Sequence, residues 1–243
     1  MDDGIFDERI APGYDQASAA MFEPAVLGPT VDRLVELADG GRALELAVGT
    51  GRVALPLQAR GVEVHGIERS RAMVAELAAK PGAEGIAVTI GDMATTRLEP
   101  RFRLVYLVYS TISNLLTQQA QVACFANAAH HLEPGGCFLI EVGIPPLRRL
   151  PVGERFVPFE VTPGHIGIDE VDVVEQLLVS HHHWFEGDRV TSFDSTHRYA
   201  APAEYDLMAQ LAGLQLASRW SDWHRLPFTA ESTPHISVWR KPA

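Results

Sequence analysis

Short apolar runs alternate along this chain with stretches of helical spacing, and glycine or proline marks the breaks between them. In 24–37, Val26, Leu27, Val31, Leu34, Val35 and Leu37 fall at helical spacing, and Asp39-Gly40-Gly41 closes the helix. Before it, 1–13 read as a loose arm and 15–22 as a short helix capped near Asp15. Residues 42–47 predict a first strand and 51–60 its helix, stopped by Gly61. A second strand at 62–67 leads to a helix over 71–79, with Ser70 as its N-cap. A third strand covers 86–90. The continuous apolar run 102–109 predicts a buried parallel strand. A helix over 118–132 and a fifth strand over 137–142 complete the series. This rhythm predicts an α/β fold, a parallel sheet with helices on both faces.

The pattern changes after residue 143. Prolines and glycines crowd 144–165, which reads as a loop, either a lid over a pocket or a surface crossover. Runs of β type follow at 167–184 and 189–199, with Gly187-Asp188 suited to a hairpin turn. Helical spacing returns over 202–211. Two final strands, 214–220 and 235–240, suggest an antiparallel finishing hairpin. The aromatics Trp220, Trp223, Phe228 and Trp239 read there as one core cluster. The chain is expected to be one domain, 1–243: an N-terminal helical segment (1–40), a ligand-binding core (42–143), a β-rich insertion (144–200) and a closing helix and hairpin (201–243).

Composition narrows the ligand. A net charge of −11 is the wrong sign for a duplex-binding surface and favours a small molecule over nucleic acid. No apolar run approaches the ~20 residues that span a bilayer. The acidic start Met1-Asp2-Asp3-Gly4 does not read as a signal peptide. Cys124 and Cys137 lie in apolar contexts and read as reduced core thiols, which suits a cytoplasmic location.

The chemistry centres on Leu44-Glu45-Leu46-Ala47-Val48-Gly49-Thr50-Gly51-Arg52, a strand entering a glycine turn. Gly49-x-Gly51-x-x-Ala54 satisfies the dinucleotide fingerprint, which alone is a weak signal. Four further features favour S-adenosylmethionine (SAM) over NAD. Glu45 would repel a pyrophosphate but attracts a sulfonium and an ammonium. Glu68 closes the second strand, where an acid accepts from ribose hydroxyls, as it also does for NAD. Gly91-Asp92-Met93 ends the third strand, placing a carboxylate for an adenine amine. The closing hairpin is the fourth.

With Gly66-Ile67-Glu68-Arg69-Ser70-Arg71-Ala72-Met73, Gly91-Asp92-Met93, the strand 104–110 and Leu132-Glu133-Pro134-Gly135-Gly136, the chain resembles the class I SAM-dependent methyltransferases across 42–142. The resemblance implies a Rossmann-like seven-stranded sheet of order 3-2-1-4-5-7-6, strand 7 antiparallel, here with a small β-rich insertion. It implies that Glu45 and the backbone of Ala47, Gly49, Thr50 and Gly51 hold the methionine end of SAM. Glu68, beside Arg69, would hold the ribose. Met73 and Met93 would sandwich the adenine, whose amine Asp92 takes, next to Gly91. Tyr14 resembles the N-terminal aromatic that covers the cofactor in some members, and packing is an equal reading of it. Ala47 departs from the family pattern, which has glycine there; a slightly shifted loop is expected.

The acceptor is expected to be a small molecule methylated on N, O or C. Tyr109 and Asn114, after the fourth strand, are placed to face the methyl group; Asn114 serves equally well to cap the next turn. His181, His182 and His183 are substrate-side candidates. On a strand the outer two share one face, and one of the three is a candidate base. No third ligand accompanies them, so no metal site is expected. Two other functions remain alternatives: an NAD-dependent oxidoreductase, and a SAM-binding sensor or subunit without catalysis. A homodimer is compatible with the sequence.

Overall fold

The computed structural model describes residues 6–99 and 101–243. Its main sheet has seven strands. In chain order these are β1 (Ala43–Leu46), β2 (Val64–Glu68), β3 (Ala87–Ile90), β4 (Phe102–Leu107) and β5 (Leu132–Gly143), then β10 (Gln215–Trp220) and β11 (Pro234–Arg240). Their order is β3-β2-β1-β4-β5-β11-β10. β1 to β5 run parallel, and β11 is antiparallel to both β5 and β10. This is the expected 3-2-1-4-5-7-6 arrangement.

Helices cover both faces because the strands are apolar on both. On one face, α5 (Gln118–His131) and α6 (Pro202–Leu211) bury Phe125, Tyr205 and Met208 against Leu44, Leu46, Phe138 and Trp239. On the other, α2 (Pro24–Ala38), α3 (Ala54–Ala59) and α4 (Arg71–Ala78) bury Val31, Leu34, Leu57 and Leu77 against Ala43, Leu104 and Val238. Each fully buried large side chain contributes about 1.5–3 kcal/mol. The expected terminal aromatic cluster is divided between these layers. Trp239 packs edge-on to Phe125 at 5.2 Å and donates Nε1–H to Asp206 at 2.8 Å, whereas Trp220 and Trp223 pack on the opposite layer. Alternation along β11 sends Trp239 to the face that Ile236 and Val238 avoid.

Two other expectations are corrected. The first helix, α1, spans Ala11–Ala17 and has no side-chain cap; a 3-10 turn, Ala19–Phe22, follows it. Pro12 starts this helix early, since its fixed φ suits a first turn, and Asp15 is thereby freed for another contact. Of the arm, residues 1–5 lie outside the described residues. Second, the 144–165 stretch contains a strand, β6 (Phe156–Val161). It pairs with β7 (His165–Asp172), which pairs with β8 (Leu177–Glu186), which pairs with β9 (Arg189–Arg198), all antiparallel. β6 accommodates Pro158 because it is an edge strand with an irregular register beside that proline.

Arg198, at the end of β9, fastens this second sheet to the helices. Its buried guanidinium donates to Gln121 Oε1 at 2.6 Å, to Glu204 Oε1 at 2.7 Å and to Gln176, while Gln121 Nε2 donates back to the Arg198 carbonyl at 3.1 Å.

Candidate functional site

The C-terminal ends of β1, β2, β3 and β4 converge on the glycine loop. Val48 N–H donates to the Ile67 carbonyl at 3.1 Å, which turns the chain out of the sheet. Ala47, Gly49 and Gly51 then all have left-handed backbone, with φ of 60°, 57° and 80°. At Gly51 a Cβ would be strained by the φ of 80° and would lie 2.3 Å from Leu77 Cδ1, which would have to move. At Gly49 a Cβ would project toward Met73 Cε, 3.5 Å away, into the space between loop and α4.

Three acids surround this loop. Glu68 is buried and accepts from Gly49 N–H at 2.8 Å and Ser70 N–H at 2.9 Å. Ser70 caps α4 as expected, its Oγ accepting from Met73 N–H at 3.1 Å. Glu45 is buried beneath the loop, where the Tyr106 hydroxyl donates to it at 2.9 Å. Burial pushes its carboxyl up to about 8, against the opposing pull of Tyr106 and of the Arg52 charge. Asp92 follows β3 and accepts from Ala94 N–H at 2.7 Å. Gly91, before it, leaves no room for a Cβ beside Thr96, and its N–H donates to the Glu68 carbonyl at 2.8 Å.

The β4 end is built to present a side chain. β4 stops at Leu107, and Tyr109 and Ser110 are both left-handed, with φ of 56° and 57°, so the expected strand to 109 is two residues too long. Such backbone costs about 1–2 kcal/mol per non-glycine residue and must be held. Glu141 of β5 holds it: Oε2 accepts from Tyr109 N–H at 2.9 Å and Oε1 from Trp223 Nε1–H at 2.8 Å, and its carbonyl accepts from Ser110 N–H at 3.0 Å. The Tyr109 ring is 49% exposed and lies under the Arg52 guanidinium at 5.5 Å. Asn114 lies in the next 3-10 turn, Thr111–Asn114. It does not cap α5; Thr117 does, accepting from Ala120 N–H at 3.1 Å.

α1 crosses over the loop. Asp15 accepts from Thr50 Oγ at 2.6 Å and pairs with Lys80, which also donates to the Thr50 carbonyl at 2.7 Å. Tyr14 is partly buried, edge-on to Phe6 at 5.7 Å, and burial raises its hydroxyl pKa with the charge of Arg52 opposing.

A family model described as a methyltransferase domain matches residues 43–136. The CcbJ methyltransferase from Streptomyces caelestis is 36% identical, with both chains covered in full and a TM-score of 0.86. The chain belongs to the class I SAM-dependent methyltransferases. The cypemycin N-terminal methyltransferase of a Streptomyces species is 25% identical over 240 residues, 98% of each chain. SAM-bound CalS10 from Micromonospora echinaspora, an amino pentose methyltransferase, shares the fold at 22% identity and a TM-score of 0.72, covering 93% of this chain and 95% of its own. The oxidoreductase alternative finds no support among these proteins.

SAM is the cofactor of this methyltransferase, and the loop's chemistry suits it. Glu45, buried beneath the loop, is a carboxyl that a cationic ligand would draw into its ionised form, and the Gly49 backbone is open on the side facing Met73, whose Cε is the nearest atom to a Cβ there at 3.5 Å. Glu45, Ala47, Gly49, Thr50, Gly51, Glu68, Met73, Gly91, Asp92, Met93 and Tyr109 all lie along this one edge. Arg69 is exposed just past Glu68. The three histidines are on β8 of the second sheet and are divided between its faces. His181 bridges Asp194 at 2.9 Å and Glu170 at 3.3 Å, and His183 meets Ser192 at 2.8 Å. His182 faces the other way, 3.1 Å from His165 Nε2. Arg52 and Glu141 were not singled out from sequence. Their signals were a cation directly after the second loop glycine and a lone acid inside an apolar strand.

Proposed function

We propose that this methyltransferase methylates an amine of a small-molecule acceptor. SAM supplies a methyl group on a sulfonium that departs as a neutral thioether. The protein's task is then alignment and charge. Glu45 and the 47–51 backbone hold the methionine end, Glu68 the ribose, Asp92 the adenine amine, and Met73 and Met93 its ring faces. Arg52 takes the methionine carboxylate, and Tyr14 covers the site. Tyr109 and Asn114 line the acceptor side, where Asn114 makes no side-chain hydrogen bond among the described residues.

The observation that carries the amine reading is the charge of this edge. Glu68, Asp92 and Glu141 stand there, joined by Glu45 when a cation draws its proton off, in a chain of net charge −11. Such a field concentrates cationic ligands. The names of two relatives, an N-terminal methyltransferase and an amino pentose methyltransferase, agree with it. An amine arriving protonated must lose that proton before it attacks, whereas one arriving neutral needs no base.

The test is methyl transfer from radiolabelled SAM to matched amine, alcohol and thiol acceptors. Product formed only from amines supports the reading, and product only from alcohols overturns it. Tight SAM binding with no turnover on any of them is the outcome that a sensor or subunit would give.

A further inference from the structure

The second sheet turns one of its faces toward the segment that leaves β5. Arg149 in that segment donates to the Pro158 carbonyl of β6 at 2.8 Å, and its charge acts on Asp169 of β7. The ladder register arranges this face in rows across the strands, about 7 Å apart. Nearest the main sheet, Leu178 stands opposite His197. In the next row Asp169, Ser180 and Ser195 align, and Ser180 Oγ donates to Asp169 at 2.7 Å. The third row is Gly167, His182 and Phe193. Phe159 of β6 fills the room above Gly167, where a Cβ would lie 2.2 Å from its ring. His165 and Trp184 form the outermost row.

The outer rows are a sheet of rings. His182 lies parallel to Trp184 within 4° at 5.1 Å and to His165 within 10° at 5.2 Å, while Phe159 meets His182 edge-on at 5.2 Å. Phe159, Trp184 and Phe193 are 37%, 39% and 39% exposed. Large rings held in register yet open to solvent are a ligand-binding pattern rather than a core. The inner rows are polar. Asp169 is half-buried, faced by Arg149, His182 and His197, and β9 touches the 3-10 turn Thr111–Asn114 at its Arg198 end, where Gln121 Nε2 donates to the carbonyls of both Ile112 and Arg198.

We propose that this face is the acceptor platform of the methyltransferase. Asp169 takes the amine end, in the row that Ser180 and Ser195 carry across to β9 and the Asn114 turn, and the rows of His182, Trp184, Phe159 and Phe193 take a ring with an apolar face, about 7–14 Å farther out. The acceptor class is an amine carried on an aromatic or sugar ring. This rests on the amine reading above.

Calorimetry on the methyltransferase loaded with S-adenosylhomocysteine tests it, with tyramine and glucosamine as ring amines, butylamine as the ringless control and 4-ethylphenol as the amine-free one. Saturable binding of a ring amine is expected. Trp184→Ala and Phe193→Ala should each weaken it about threefold to tenfold, with Trp184→Phe restoring most of the loss. Asp169→Asn should weaken both ring amines and leave 4-ethylphenol unchanged. Phe185→Ala, on the opposite face, should change nothing. Losses confined to tyramine assign an aromatic ring; losses confined to glucosamine assign a sugar. Equal binding by wild type, Trp184→Ala and Phe193→Ala, or no saturable binding of either ring amine, overturns the platform. Methylation of 4-ethylphenol but not tyramine would instead overturn the amine reading and leave the platform standing.

Discussion

Glu45 combines a buried carboxyl with a ligand that carries positive charge. Its pKa stands near 8 in the folded chain and near 4.5 when unfolded. The folded state therefore holds the extra proton between those values, and this group's contribution to stability falls as pH rises through that window. A cationic ligand prefers the ionised form. SAM affinity, followed by calorimetry, should accordingly increase as pH rises through about 8. Glu45→Gln should bind more weakly and lose that pH dependence. Ala47 offers a second test. Its φ of 60° is unfavourable for any residue with a Cβ. Ala47→Gly should stabilise the fold by up to about 1 kcal/mol in urea titrations, with SAM binding kept or tightened. Gly49→Val places a branched side chain at φ 57°, pointing toward Met73, and should abolish SAM binding.

Among the elements, the parallel core was legible because each strand is a compact apolar run and each helix ends in a glycine or proline break. β6 was not legible, because an edge strand tolerates the proline that the pattern treats as a loop signal. The start of α1 was misread because Asp15 looks like a helix cap in sequence, whereas its carboxylate is used across space by Thr50 and Lys80. The loop residues Glu45, Glu68 and Asp92 were legible from their places at strand ends. Arg52 and Glu141 act through contacts that spacing does not encode. α1 yields its own prediction: Asp15→Ala should speed amide exchange in Ala11–Ala17 without altering exchange in β4, and should raise the rate of SAM release. At the other joint, Arg198→Ala removes the donor to Gln121 Oε1 and to Gln176 and leaves the Glu204 charge answered only by the amides of Gln118 and Gln176, and should lower stability by about 3 kcal/mol in thermal melts.

The whole molecule separates two tasks. The main sheet forms the glycine loop and its acids, and the second sheet overhangs its β4–β5 end. Binding at the loop should stabilise the entire domain, by about 2.7 kcal/mol at SAM concentrations a hundredfold above Kd, with no matching shift from NAD. The turn after β4 and the connection after β10 are joined at Glu141. Each of its two side-chain oxygens receives an N–H, one from the backbone of Tyr109 and one from the Trp223 indole. What the position requires is therefore a count of acceptors, and charge is incidental to it. Glutamine matches glutamate in shape and offers one acceptor; its amide nitrogen would meet a second donor head-on. A neutral isostere thus fails at 141 for reasons of valence, and the same collision would reach the Tyr109 turn and the 221–233 connection together.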